Sequence, residues 1–459
     1  MDTASRQVRL RFCAIFAPGL EQRASNDTDA TTLRTNGFDI RPFVQKIDIF
    51  EGVFDNTISG SITLLETIGL PEYLPIVGVE SLGLVFEIDS VTGGKPKQFS
   101  RLFRINGLTH QSFPRNEVRV YTLHFTTPEF LTSLSSRISR AFRDMTAADA
   151  VRNILTQDLQ IDAARILTNE PTFGTVDATI PNYTPLMAIN YFTMLSQTMN
   201  KRNSNFMFFE TLDGFHFASL STLMQQDVPP NRIFRVDNAV ASNANNSPAR
   251  QLNSVLRMHQ DQGFDLLRDI SSGMLASRMV HFDFLARKLD PGVSSRYTKT
   301  FDETGHLGAF PVYPKNFDQT VGDTVRIFTV PSNAWSTKSA YIDSIEKPVA
   351  QLLHESIVLR NRQLKEIMHM QTLLDLAGQP DLRAGDVVDV RYPSSRLLQG
   401  DPDSTDSVAV QPTPFYSGKH LVTSVHHIIQ VNSDSSMEYR MNVAVNRDSF
   451  DAALMGAAK

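Results

Sequence analysis

The sequence predicts a mainly β protein with α+β elements, in which two copies of one antiparallel β-barrel flank smaller α+β domains. Three observations carry this expectation. Period-two alternation dominates both ends of the chain, and helical spacing is confined to the middle and to one later stretch. In addition, one phrase is written twice: residues 63–72 read TLLETIGLPE and residues 372–381 read TLLDLAGQPD.

At 459 residues the chain exceeds one ordinary core, so three or four domains are expected. A hydrophobic content of 41% with 20% charge is that of a globular protein. The formal net charge of −5 argues against a general nucleic-acid binder, which would carry a basic face. The single Cys13 excludes an internal disulfide framework and fits assembly in a reducing compartment. Within the alternating run VRLRFCAIF it reads as a buried structural thiol. No apolar stretch reaches the roughly 18 residues of a spanning helix. Asp2 and the short run FCAIFA speak against a secretory signal, so a soluble protein made in a cytoplasm is expected.

The first ~130 residues read as strands. Val8 to Phe16 alternates, and Ile47, Ile49, Ile58, Ile62 and Leu64 resume the period after a polar stretch. FDNTIS is a tight connection. SLGLVFEI, RLFRINGLTH and VRVYTLHFT follow, separated by the turn-formers TGGKP and FPRNE. Short strands so punctuated predict a closed or nearly closed barrel over residues 1–130. Residues 131–230 predict an α+β domain. Pro128 opens a helical stretch through Phe142, Thr146 caps the helix in MTAADAVRNILTQDL, and another helix runs from about Pro185 to Lys201. NFMFFETLDGFHFASL predicts a hairpin around Leu212-Asp213-Gly214. Residues 231–345 predict a second α+β, β-rich domain: a linker-like run VASNANNSPA, strands in LNSVLRMH and SRMVHFDFLARKL, a short helix DLLRDIS, and the strand GDTVRIF. Residues 346–459 predict a helix from about Pro348 to Lys365 and a second barrel.

The echo extends beyond its first ten residues. Glu80, Leu82, Leu84 and Phe86 answer Asp386, Val388, Val390 and Tyr392. Ile105, Leu108 and His110 answer Val422, Val425 and His427, and Tyr121, Leu123 and Phe125 answer Met441, Val443 and Val445. Four segments in one order, with length differences in loops, argue for duplication, and two copies are too few for a solenoid. Within each copy, TLL reads as a strand end, Gly as a backbone excursion, and Pro as the residue that stops the ladder.

A search for catalytic chemistry returns nothing. His420 and His426 on one strand would share a face yet lie roughly 20 Å apart at ~3.3 Å per residue, with His427 opposite, so they do not predict a metal site. His354-Glu355 lacks the second His of a zincin, GGKPK lacks the Ser/Thr of a phosphate loop, and no nucleophile elbow or dinucleotide fingerprint occurs. No catalytic, cofactor-binding or metal residues are therefore assigned, and no cofactor is expected.

Taken together, KIDIFEGVFDNTISGSITLLE with LPIVGVESLGLVF, PLMAINYFTMLSQTMN with FMFFETLDGFHFASL, and RAGDVVDVRYP with FYSGKHLVTSVHHIIQ and YRMNVAVNRDSF resemble the baseplate hub protein of contractile-tailed bacteriophages, the T-even hub-like family. The polar loops near 22–38 and 398–414 look like local elaborations. The resemblance implies two tail-tube-like barrels per chain and a homotrimer whose six barrels meet a sixfold tail tube. Its implied partners are the tail tube or tube-initiator proteins, a central spike protein and other baseplate proteins. It also implies a virion location, host-cytoplasm assembly, no stable membrane insertion, and DNA passing through a channel without specific binding. Two alternatives accompany it: the hub part of a type VI secretion-like spike, and a peptidoglycan hydrolase at the tail tip. Glycoside hydrolysis needs two placed carboxylates. Phage muramidases resemble one another in a Glu-x8-Asp-x5-Thr pattern, but Glu80 with Asp89 meets Lys95, and Glu366 with Asp375 meets Asp381. Both pairs read as lying in strand-like barrel segments, so a non-enzymatic protein is expected.

Overall fold

A computed structural model describes residues 6–17, 37–73, 76–89, 96–115, 118–200, 205–236, 253–262, 265–283, 287–314, 317–328, 349–392, 416–432 and 436–451. The linker-like run at 240–249, most of the two polar loops, and the glycines of GGKPK lie outside these residues.

The first region is built of strands β1 (Arg6–Phe16), β2 (Val44–Gly52), β3 (Ser59–Glu66), β4 (Ser81–Ile88), β5 (Lys97–Arg115) and β6 (Val118–Thr126). The alternation that announced them is the burial pattern they show. Ile47 and Ile49, Ile62 and Leu64, Leu82 and Leu84, and Leu123 and Phe125 all point into one core. FPRNE, expected as a turn, is largely the continuation of β5 through Arg115. Pro114 can sit there because among the described residues this half of β5 is paired on one side only, by β6.

The middle region contains α1 (Pro128–Ser135), β7 (Ile138–Met145), α2 (Ala147–Asn153), β8 (Val176–Tyr183), α3 (Pro185–Leu195), β9 (Phe206–Glu210) and β10 (Phe215–Ser219). Thr146 caps α2, its hydroxyl accepting the Asp149 N–H at 3.1 Å. The helix expected through Phe142 stops at Ser135, and β7 pairs with β8 instead. Buried Ile138 and Phe142 are four apart, a spacing that satisfies either a helix or a strand, so periodicity alone misassigned them. The helix α3 also ends early, at Leu195, where Ser196 turns extended and donates its hydroxyl to the Phe192 carbonyl. The hairpin β9–β10 forms as expected, Glu210 opposite Phe215.

Next come β11 (Val255–Gln262) and a hairpin, Ala276–Asp283 with Lys288–Arg296. The latter breaks what read as one run, turning at Arg287 with φ 52°. Then α4 (Val349–Ile367) leads into β12 (Met370–Ala377), β13 (Val387–Arg391), β14 (Gly418–Val431) and β15 (Met437–Arg447). Buried Arg362 on α4 pairs with Glu366 at 2.7 Å and donates to Ser295 at 3.1 Å, while Asn205 donates to Gln363 at 2.8 Å. Thus α4 is a strut between the middle hairpin and the 276–296 hairpin, with Arg362, Gln363 and Glu366 facing neighbours rather than water. Glu366, expected on a strand, lies on this helix.

The strands of both ends form one sheet. Its order runs from Ile233–Arg235 to β13–β14–β2–β3–β6–β5–β4–β1–β15–β12–β11, and β14 also pairs with β15. Eight strands therefore close a circuit, β2–β3–β6–β5–β4–β1–β15–β14 and back to β2. One apolar cluster draws on Ile47, Leu84 and Phe125 from one end and Leu374, Val425 and Val443 from the other.

Four early pairings have later counterparts: β3–β6 with β12–β15, β4–β5 with β13–β14, β5–β6 with β14–β15, and β2–β3 with β11–β12. Registers agree as well. Ser81 pairs with Arg104 as Val387 pairs with Leu421. The β5–β6 ladder shifts between Ile105 and Gly107, and the β14–β15 ladder shifts between Val422 and Ser424, so one bulge is present twice. Beside it the Ile105 N–H donates to the Glu80 carbonyl at 3.0 Å, and the Val422 N–H donates to the Asp386 carbonyl at 2.8 Å.

The literal echo is the exception. Leu64 pairs with Tyr121, and the strand position matching it is Leu376, which pairs with Met441, not Leu373. Matching TLL to TLL would put buried Leu64 on a half-exposed residue, because an odd shift exchanges the two faces. The two phrases also do different work. Glu66 accepts the N–H groups of Ile68, Gly69 and Leu70 (2.7, 2.7 and 3.2 Å), and Gly69 has φ 74°. Asp375 instead lies mid-strand opposite Asn442, and a Cβ on Gly378 would lie 1.9 Å from the Tyr439 ring.

Candidate functional site

The flagged histidines occupy three unlike environments. The bulge at Thr423 reverses the alternation, so Val422 and Val425, three apart, share the core. His427, not His426, therefore falls on the interior side with Val422, which corrects the face assignment made from uninterrupted alternation. His420 donates its Nδ1–H to the Gly418 carbonyl (2.8 Å), and burial with nearby Arg447 pushes its pKa down to about 3. His426 lies 2.7 Å from Asp48 and stacks on Phe50. Among the described residues no three His, Cys, Asp or Glu side chains are grouped to hold a metal. Glu80 accepts the N–H groups of Val77, Gly78 and Val79, and Asp89 binds Arg9. Asp375 faces Asn442 on its strand. The side chains of His354 and Glu355 lie outside the described set.

What the fold does assemble is a buried polar junction where β2, β14, β15 and the β9–β10 turn meet. Alternation along KIDIFEG places Glu51 inward with Ile47 and Ile49, and this was its legible signal. Its carboxylate accepts the Leu212 N–H at 2.8 Å and the Ala384 N–H at 3.4 Å, and lies 3.3 Å from His427. His427 in turn meets the Tyr439 hydroxyl at 2.8 Å. Arg383 reaches Asp213 at 2.9 Å, approaches Glu51 at 3.9 Å, and lies over the Phe99 ring at 4.9 Å. Burial alone would raise the Glu51 pKa, but His427, Arg383 and the Leu212 amide outweigh it and hold the acid below its ordinary range. Burial lowers the His427 pKa, against the opposing pull of Glu51.

A second buried group lies on the early side. Glu210 accepts the Ile58 N–H at 3.3 Å and a bond from Arg165 at 3.2 Å, and Arg165 also binds Glu129. Arg101 stands 3.8 Å from Glu210 and donates to the carbonyls of Thr211 and Leu212, each at 2.9 Å. Burial and the Glu129 charge raise the Glu210 pKa to about 7 against the two arginines. These groups bind element to element; their polar atoms face protein rather than an open reaction space. A cleft of about 920 Å³ does open between the β2–β3 turn, α3 and α4. Its wall carries exposed Phe54, Met187 and Met194 and no paired acids poised for hydrolysis.

The architecture, a mainly β fold with a large sheet, small sheets and few helices, is a fold shared with solved tail proteins. It is similar to the tail protein from Neisseria meningitidis MC58, with a TM-score of 0.51 and 11% identity over 95% of this chain and 96% of that one. It is likewise similar to the 43 kDa tail protein of prophage MuSo2 from Shewanella oneidensis, with a TM-score of 0.51 and 8% identity over 96% of this chain and 99% of that one. At such identities the likeness is one of fold. No family model matches the sequence, and no curated protein matches it. Among the described residues no helix is long and apolar enough to cross a membrane.

Proposed function

We propose that this chain is a structural, non-enzymatic hub of a phage tail baseplate. Three copies form a ring whose six similar barrels meet a sixfold tail tube on one side, while a threefold central spike docks on the other. The channel on the axis passes the genome without gripping it, in keeping with the net charge of −5. In this reading residues 1–130 and 346–459 carry the tube-like barrels and residues 131–230 and 231–345 the intervening domains. Assembly takes place in the host cytoplasm, and the mature location is the virion tail.

The observation that carries the proposal is the duplicated set of strand pairings with its duplicated bulge. A threefold object offers six equivalent contacts only if each chain contributes two similar units, and a ring of heterologous contacts closes without further symmetry. The fold likeness to phage tail proteins supports the same reading. The spending of Glu80 on loop amides and of Glu366 on Arg362 supports the non-enzymatic part. Native mass measurement should give about 154 kDa, three times the 51.4 kDa chain, alone or with a spike partner. A chain that stays monomeric with tube and spike partners present overturns the ring, and lysis of purified cell walls overturns the non-enzymatic assignment.

A further inference from the structure

The hairpin strands β5 and β14 are too long for their own barrels. Strand β5 has 19 residues, of which β4 pairs with 97–104; β14 has 14, of which β13 pairs with 418–421. The overhang of β14 is occupied: Ser424–Gln430 pairs antiparallel with Gly52–Lys46 of β2. The matching overhang of β5, from Gly107 onward, has no strand on that side among the described residues. The counterpart of β2 is β11, which pairs with β12 on one edge and with no other strand along 255–262.

We propose that the β5 overhang of one copy pairs antiparallel with the β11 edge of the next copy, repeating between chains the β14–β2 joint found within each chain. This rests on the ring reading above and supplies its contact. The register follows from the internal copy. Beyond a second irregularity after Thr109 that β14 lacks, Ser112 pairs with Val120 as Ile428 pairs with Arg440, and Ile428 lies opposite Asp48. Asp48 pairs with Ser61 as His259 pairs with Leu373. Ser112 therefore falls opposite His259 of the neighbouring copy. Both side chains are exposed in the single chain. Two open edges of matched length satisfy each other's backbone groups, which is how strand addition gains affinity and how an exposed edge is protected.

The test uses the full chain, whose own Cys13 is buried. Under mild oxidation the double variant Ser112→Cys/His259→Cys should form intermolecular disulfides up to a covalent trimer, with a yield about tenfold above either single variant. The pair Ser112→Cys/Arg257→Cys, two residues out of register, should lag behind it. In unmodified protein, amide hydrogen exchange at 107–112 and 256–260 should slow on assembly. A trimer of the right native mass that neither cross-links at this pair nor protects those amides overturns this contact while leaving the ring intact. Absence of any trimer, with partners present, overturns both.

Discussion

The two copies share four strand pairings and a bulge, yet differ in what surrounds the overhanging half of the long hairpin. In the second copy that half is enclosed by β2, and its interior carries His427, Tyr439 and, through the facing strand, Glu51. In the first copy Leu108, the counterpart of Val425, is only half-buried, and Thr109, the counterpart of His426, is exposed. The backbone plan was kept while the side chains followed their surroundings. Polar residues entered the interior only where a neighbouring strand within the same chain could satisfy them.

That contrast can be broken most severely at Arg383. Arg383→Ala removes the cation beside fully buried Glu51, and the loss should be about 3–5 kcal/mol, read as a lowered denaturant midpoint. No loss would mean that the amides of Leu212 and Ala384 alone hold the acid. A smaller effect separates the copies directly. Val425→Ala empties core space and should cost about 2 kcal/mol, whereas Leu108→Ala in the unassembled chain should cost under about 1 kcal/mol. Equal losses would show that the first overhang is enclosed within the single chain.

The subtlest test contrasts the two buried carboxylates. Glu210, raised to about 7, binds its proton more tightly folded than unfolded. Its favourable contribution is complete below its ordinary range and fades as pH rises from about 4.5 to 7. Glu210→Gln should therefore gain stability over the parent across that window and hold a constant difference above it, in thermal melts at stepped pH. A Gln variant that is less stable at every pH would show Glu210 ionised between its arginines throughout.

Much of this fold was legible in sequence because alternation is a direct image of a half-buried strand: VRVYTLHFT gives β6 residue for residue. Three of the four paired segments also aligned in the true register. The phrase that revealed the copying did not, since Thr, Leu and Gly recur there by strand-end composition while the faces disagree. The histidines were misplaced because a bulge is one extra residue with no compositional mark of its own. Glu51 was readable from parity in KIDIFEG. Arg383, Arg101 and Arg165 were not, since their meeting depends on how distant strands and the 211–214 turn come together. Arg362 was hidden for another reason: an arginine on a helix reads as solvated until partners such as Ser295 are known to enclose it.

The closed circuit of eight strands has a consequence in time. Strands β2 and β1 wait for β14 and β15, more than 370 positions later in the chain. During synthesis the first barrel stands open along two edges until β14 and β15 emerge. Contacts of such sequence separation form late, and open edges invite wrong partners. A chain released before β14 leaves its first barrel unfinished, so β14 and β15 act as a check that only chains reaching them present a closed surface for assembly.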